Sequence, residues 1–276
     1  MNARGYVKYH FKDRIVLFQK RVQLFFWKKQ QPILIFTMAK VGSLSVYFSL
    51  KKSVSNIALF HVHSLDANDA EIEKEICFEN GVYPGSRSVI PLLNKEIIDK
   101  NRSFKIISLF RDPIERNLSA FFEAFELHVG IKAEEYTGSL QALEAIYHEE
   151  LEHDYPIHWF DRYFFSKTEI DIYKREFSST EGAISFVEKN IPVLIMNASL
   201  PDEKKETLLQ DFMGVQQIEL KNRNITSESK AGQLYKEFKN YMKFEASYLD
   251  AMYNSKYAIH FFSETYRENA IKRWLK

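Results

Sequence analysis

The sequence predicts an α/β fold: a single domain with a mainly parallel central sheet flanked by helices. Two apolar runs with little alternation, Ile33-Leu34-Ile35-Phe36-Thr37 and Phe104-Lys105-Ile106-Ile107-Ser108-Leu109-Phe110, read as strands buried on both faces. Each runs into a turn and then a helical segment, and such alternation of strand and helix builds a parallel sheet. The 276 residues, 45% hydrophobic and 27% charged, suffice for one large core, and no repeat, low-complexity stretch or linker divides them.

Residues 8 to 29 read as a helix. Phe11, Ile15, Phe18, Val22 and Phe25 form one stripe at steps of four and three, with Lys8, Lys12, Arg14, Lys20, Arg21, Lys28 and Lys29 around it. Such a helix either packs its stripe on the domain or lies in an anionic membrane surface. Packing is the expected reading, because most such stripes face a core. The chain therefore divides into a basic amphipathic helical segment, residues 1–30, and the main domain, residues 31–276.

The first strand turns through Met38-Ala39-Lys40-Val41-Gly42 into a helix from Ser43 to Leu50, and a second strand spans Ile57 to His63. The third, Phe104 to Phe110, meets Arg111-Asp112-Pro113, where Asp112 can cap a helix that begins at Pro113 and reaches about Leu127. Residues 136–181 read as helical or irregular, with an aromatic cluster at His158-Trp159-Phe160-Asp161. A fourth strand is expected at Val193–Met196 and a fifth near Gln217–Leu220, with a helix after Pro201 between them. Helices at Gln233–Tyr253 and Ser263–Trp274 close the chain.

Composition narrows the function. A net charge of +1 gives no overall field for nucleic acid, so no such partner is expected. The lone Cys77 excludes an internal disulfide and a four-cysteine zinc site, and the eight histidines lack the i, i+4 zincin spacing, so no metal is expected. The N-terminal apolar runs Ile15–Phe18 and Leu24–Trp27 are too short for a secretory signal, and no stretch approaches the ~18 apolar residues of a membrane span. A cytoplasmic protein is expected, with peripheral membrane contact through the basic helix as the alternative to its packing on the domain.

In an open parallel sheet, ligands bind outside the carboxyl ends of the strands. The chemistry-bearing segments fall at three such ends. After Thr37, the strand turns at Gly42 into a helix whose first N–H groups face outward, a phosphate-binding arrangement to which Lys40 adds charge and Ser43 and Ser45 add hydroxyls. It is no Walker A loop, since the lysine precedes the glycine. After Phe110, Arg111 supplies a guanidinium fork, and Arg116 and Ser119 share a helix face. The plain alternatives are an ordinary strand-to-helix turn and an Arg111 paired with a nearby carboxylate. His61 and His63 share one face of the second strand.

Together, Thr37–Ser45 and Phe110–Phe122 resemble the 5′-phosphosulfate loop and the 3′-phosphate-binding motif of PAPS-dependent sulfotransferases, where PAPS is 3′-phosphoadenosine-5′-phosphosulfate. More closely, the chain is similar to bacterial sulfotransferases of the capsular-polysaccharide-synthesis type, with further likeness at Phe60–Leu65, His158–Tyr163 and Lys256–Ser263 with Lys272-Arg273-Trp274. The resemblance implies a P-loop-NTPase-like sulfotransferase fold, PAPS as donor, PAP as product and a carbohydrate or other hydroxyl as acceptor. It implies that Lys40 contacts the 5′-phosphate and bridging oxygen, while Val41, Gly42, Ser43, Leu44 and Ser45 cradle the phosphosulfate. It assigns the 3′-phosphate to Arg111 and Ser119, with Lys221-Asn222-Arg223-Asn224 as the nearest match to a further phosphate-contacting loop, without the glycine usual there.

Sulfuryl transfer requires a base for the acceptor hydroxyl, and histidine titrates near working pH. His63, nearer the strand's carboxyl end, is the expected base, with His61 in support. His158, Trp159 and Asp161 are candidates for the acceptor side, or else part of a packed aromatic cluster. The competing functions are a P-loop-like kinase of a small alcohol or sugar, which would want a hydroxyl where Val41 stands, and a non-catalytic nucleotide-fold binding protein.

Overall fold

The computed structural model describes residues 3–28, 30–79, 81–220 and 230–276. Strands β1 (Ile33–Phe36), β2 (Leu59–Val62), β3 (Lys105–Phe110), β4 (Ala183–Glu188) and β5 (Ile191–Asn197) form one sheet in the order β2-β1-β3-β5-β4. β1, β2, β3 and β5 run parallel, and β4 is antiparallel to β5. Every residue of β1 is buried, as is β3 from Ile106 onward, which is why these strands read as continuous apolar runs.

The helices that matter here are α1 (Ala3–Phe26), α2 (Ser43–Ser53), α3 (Ala67–Glu79) and α4 (Pro113–Glu123). The chain leaves β1 toward β2 on one side, whereas β3 leads toward β5 on the other. The strand order thus reverses between β1 and β3, and a crevice opens there at their carboxyl ends. Thr37 closes it from below: its buried hydroxyl donates to Leu109 O (2.8 Å) and accepts from Leu109 N–H (3.0 Å), replacing the ladder where β1 ends.

Four expectations are corrected. The segment Gln217–Leu220 is not a strand: Ile218 and Leu220 are buried, but Leu220 N–H donates to the Glu206 carboxylate (2.7 Å) instead of to a ladder. The place beside β5 is filled by β4, reached through a two-residue hairpin in which Lys189 and Asn190 both have positive φ, the signature of a tight primed turn. The helix after Asp112 ends at Glu123, and a separate short helix spans Phe125–Val129. The helix expected over Gln233–Tyr253 breaks at 242–245, where Phe244 N–H bonds Trp274 O (2.8 Å) and the chain's end pairs with it.

The fourth correction concerns α1. Its expected core stripe, Phe11, Ile15, Phe18 and Phe25, faces solvent. The opposite face packs: Leu24 is buried, Val16, Leu17 and Trp27 rest against the core, and His10 stacks on Phe78 of α3. Lys20 Nζ donates to Leu59 O (2.6 Å), and the Arg102 guanidinium binds Leu24 O, Trp27 O and Gln30 O at the helix C-terminus. A helix with apolar residues on two faces shows a stripe in its sequence without showing which face is covered.

Candidate functional site at the carboxyl ends of β1, β2 and β3

The turn after β1 holds two residues in the left-handed region, Lys40 (φ 70°) and Gly42 (φ 73°). For lysine that conformation costs about 1–2 kcal/mol, so something must hold it. Two arginines do: Arg116 Nε donates to Ala39 O (3.1 Å) and Arg111 Nη1 to Lys40 O (3.2 Å). Arg111 is itself fixed by Tyr257, whose hydroxyl donates to Arg111 O (2.6 Å) and accepts from Arg111 N–H (3.1 Å). Gly42 occupies the N-cap of α2, and no side chain caps the helix. A Cβ at Gly42 would meet nothing within 4 Å, so it is the positive φ, not crowding, that calls for glycine, and open space lies beside the helix N-terminus.

The two histidines are held differently. Ser43 Oγ and His61 Nε2 share a hydrogen bond of 2.8 Å, and the rings of His61 and His63 meet edge to face with centroids 4.8 Å apart. His63 Nδ1 lies 2.7 Å from Thr37 O, an atom that only accepts, so Nδ1 carries the proton and Nε2 the lone pair. The indole N–H of buried Trp159 donates to His63 O (3.0 Å), which pins the backbone behind the ring. Burial pushes the His61 pKa down to about 3, with His63 beside it adding to the effect. Burial also lowers His63, against the opposing pull of its bond to Thr37 O and the Glu123 carboxylate. Both rings are therefore neutral near pH 7.

Cations gather next to this loop. Lys40 Nζ pairs with Glu123 Oε2 at 2.6 Å. Glu115, two turns earlier on α4, sits within a ring of three: Lys239 Nζ (2.6 Å), Arg273 Nη1 (3.2 Å) and Arg111 Nη2 (3.5 Å). Ser119 lies between Glu115 and Glu123 on the same helix face. Asp112 caps α4 by accepting from Glu115 N–H (2.9 Å), and its other oxygen accepts from Tyr253 (2.9 Å) and Tyr266 (3.1 Å).

Two cavities open here. The larger, about 760 Å³, is lined by the whole of Ala39–Val46 together with His61, His63, Glu123 and Lys205. The smaller, about 410 Å³, is walled by Asp66, Glu73, Arg87, Arg116, Tyr155 and Tyr163 among others. Ala39 and His63 line both.

Lys40, Val41, Gly42, Ser43, Leu44, Ser45, His61 and His63 thus meet at one cavity. Arg111 and Ser119 line neither cavity; Arg111 supports the loop from behind and joins the cationic ring. The cluster His158–Asp161 does not line the smaller cavity: Trp159 and Phe160 are core, while His158 pairs with Asp154 and Asp161 with Lys256. The loop Lys221–Asn224 lies outside the described residues. Sequence reasoning missed Glu123 and Lys239, which carry no local motif, and noted Arg273 only as part of a family-like stretch without a role. These residues reach the site from α4 and from two C-terminal helices.

Comparison of the chain with protein-family models, with curated proteins and with solved structures gave no match. Among the described residues, no group of three or more His, Cys, Asp or Glu side chains could hold a metal ion, and no helix is long and apolar enough to cross a membrane.

Proposed function

We propose that this chain is a sulfotransferase with a P-loop-like fold, moving a sulfuryl group from PAPS to a hydroxyl of a carbohydrate. The observation that carries the reading is His63: it lines both cavities, and its Nδ1–H is committed to Thr37 O. The donor occupies the larger cavity and the acceptor the smaller, so the base stands where the two substrates meet.

His63 Nε2 takes the acceptor hydroxyl's proton. The acceptor oxygen bonds the sulfur as the bond from sulfur to the 5′-phosphate oxygen breaks, and negative charge gathers on that departing oxygen. Lys40 and the N-terminus of α2 lie where that charge develops. Serving there requires the Lys40 ammonium to leave Glu123, whose carboxylate remains near His63 and raises its basicity. The 3′-phosphate end of the donor extends past the larger cavity's lining to Arg111, with Ser119 on the same face of α4 as Glu115. Lys239 and Arg273 stand alongside, and the phosphate competes with the Glu115 carboxylate that these cations now hold.

The smaller cavity supports a polyhydroxyl acceptor. Carboxylates and tyrosines suit sugar hydroxyls and ring faces, and the mix of Asp66 and Glu73 with Arg87 and Arg116 offers both acceptors and donors.

A thermal-shift titration with 3′,5′-ADP, 5′-AMP and ATP with magnesium, followed by transfer from labelled PAPS to a glycan panel, tests the reading. Stabilisation by 3′,5′-ADP well beyond that by 5′-AMP, with label moving to a glycan, is expected. Preference for ATP with magnesium would replace it with phosphoryl transfer, and no nucleotide response would leave a non-catalytic binding protein.

A further inference from the structure

α1 presents an apolar stripe that nothing among the described residues covers. Val7 is 67% exposed, Phe11 68%, Phe18 66%, Phe25 61% and Phe26 72%, with Ile15 at 42% among them. Phenylalanines at that exposure, recurring at helical spacing along about 30 Å of helix, form a continuous band and not scattered surface residues. The stability of α1 does not depend on this band, because the opposite face makes the contacts: Leu24, Leu17 and Trp27 on the core, His10 on Phe78, Lys20 on Leu59 O.

The charges around the band are of one sign. At 100° per residue, Lys8 and Lys12 fall on one flank, and Arg14, Arg21 and Lys28 on the other, all exposed. The one acidic residue of α1, Asp13, lies on the packed face and is buried. The acidic helix α3 also packs behind α1, where His10 meets Phe78. Beside Phe25 a cavity of about 630 Å³ is lined by Arg21, Lys28, Lys100 and Arg102, with Glu96 as its one carboxylate.

We propose that α1 lies in the plane of an anionic lipid surface, with the Val7–Phe26 band in the acyl boundary, the flanking lysines and arginines at the phosphates, and the Arg21–Lys28–Lys100–Arg102 cavity receiving a headgroup. An apolar face flanked by cations is the arrangement that binds the interface of an anionic bilayer, since burial of the band and attraction to the headgroups act together. A second copy of the chain is the less suitable occupant, because self-association would bring two sets of like charges together along the band. The proposal is independent of what the cavities at His63 catalyse.

The test is flotation of the full chain with vesicles of phosphatidylcholine alone or with 30% phosphatidylglycerol, a composition chosen on the order of a biological anionic fraction. Binding at least about tenfold tighter to the anionic vesicles, weakening as salt rises, is expected. Phe11→Ser/Phe18→Ser should lower that binding about tenfold or more with an unchanged melting temperature, since both side chains are exposed. Arg14→Glu/Arg21→Glu should remove the preference for anionic vesicles. Absence of binding to anionic vesicles, or equal binding to both kinds, would overturn the proposal. So would a lipid-free dimer in sedimentation that Phe11→Ser/Phe18→Ser converts to monomer, for then a second copy covers the band.

Discussion

The two cavities that meet at His63 are built by opposite means. The larger draws half of its wall from one unbroken stretch, Ala39–Val46, which presents backbone, a helix N-terminus and mostly short side chains. The smaller has no such run and collects side chains in ones and twos between Ala39 and Tyr163, many of them charged, tyrosine or histidine. A phosphate can be held by the geometry of a turn, which a short segment encodes. A particular acceptor has to be recognised by its outline and its hydroxyls, which needs groups converging from many directions. The first kind of site keeps one form and the second can be varied side chain by side chain.

The largest effect should come at the one side chain with a chemical role that both cavities share. His63→Ala is expected to lower transfer by roughly 10²–10⁴-fold while 3′,5′-ADP binding, measured by calorimetry, stays as in the wild type. Loss of nucleotide affinity in that variant would mean that His63 belongs to the larger cavity alone. Next in size, Lys40→Ala should reduce kcat on the order of 10²-fold with a smaller change in donor affinity, because its charge counts most as the phosphate departs. A raised KM with normal kcat would make Lys40 a binding residue only.

Arg111 separates loop support from phosphate recognition. Arg111→Ala should weaken 3′,5′-ADP by roughly tenfold and remove most of its advantage over 5′-AMP, as expected when a charge-assisted contact is lost. If both nucleotides weaken equally, Arg111 acts only through Lys40 O.

The smallest effect is a displacement of the pH profile. His63 must be neutral to accept a proton, so kcat/KM rises with pH through its pKa in the free enzyme. Burial sets that pKa below the usual 6.5, so the ascending limb should lie to the acid side of an ordinary histidine. Glu123 opposes this shift, and Glu123→Gln should therefore carry the limb further toward acid. A limb that moves toward neutral pH in that variant would break the link between the carboxylate and the ring.

The Thr37–Ser45 and Phe110–Phe122 segments were legible because their parts are sequence neighbours. A buried strand, a glycine at the turn and an aspartate–proline cap announce themselves within a few residues. That the two segments touch could be expected from a parallel sheet, but the contacts could not. Arg116 on Ala39 O and Arg111 on Lys40 O join positions more than seventy residues apart, whereas the local pattern offered Arg111 only to a ligand or to a nearby carboxylate, the latter met by Glu115.

By itself the sequence determined the parallel core strands, the turn at Lys40–Gly42 and the pair of histidines, since burial periodicity and backbone propensity act over a handful of residues. Tertiary structure decided the rest. It placed β4 beside β5 and so left Gln217–Leu220 without a strand edge, because only one chain can complete a given ladder. It turned the Phe11–Phe25 stripe outward, because α1 has two apolar faces and the domain covers one. It chose the proton on His63, because the acceptor for Nδ1 is the carbonyl of Thr37, brought alongside by the pairing of β1 with β2.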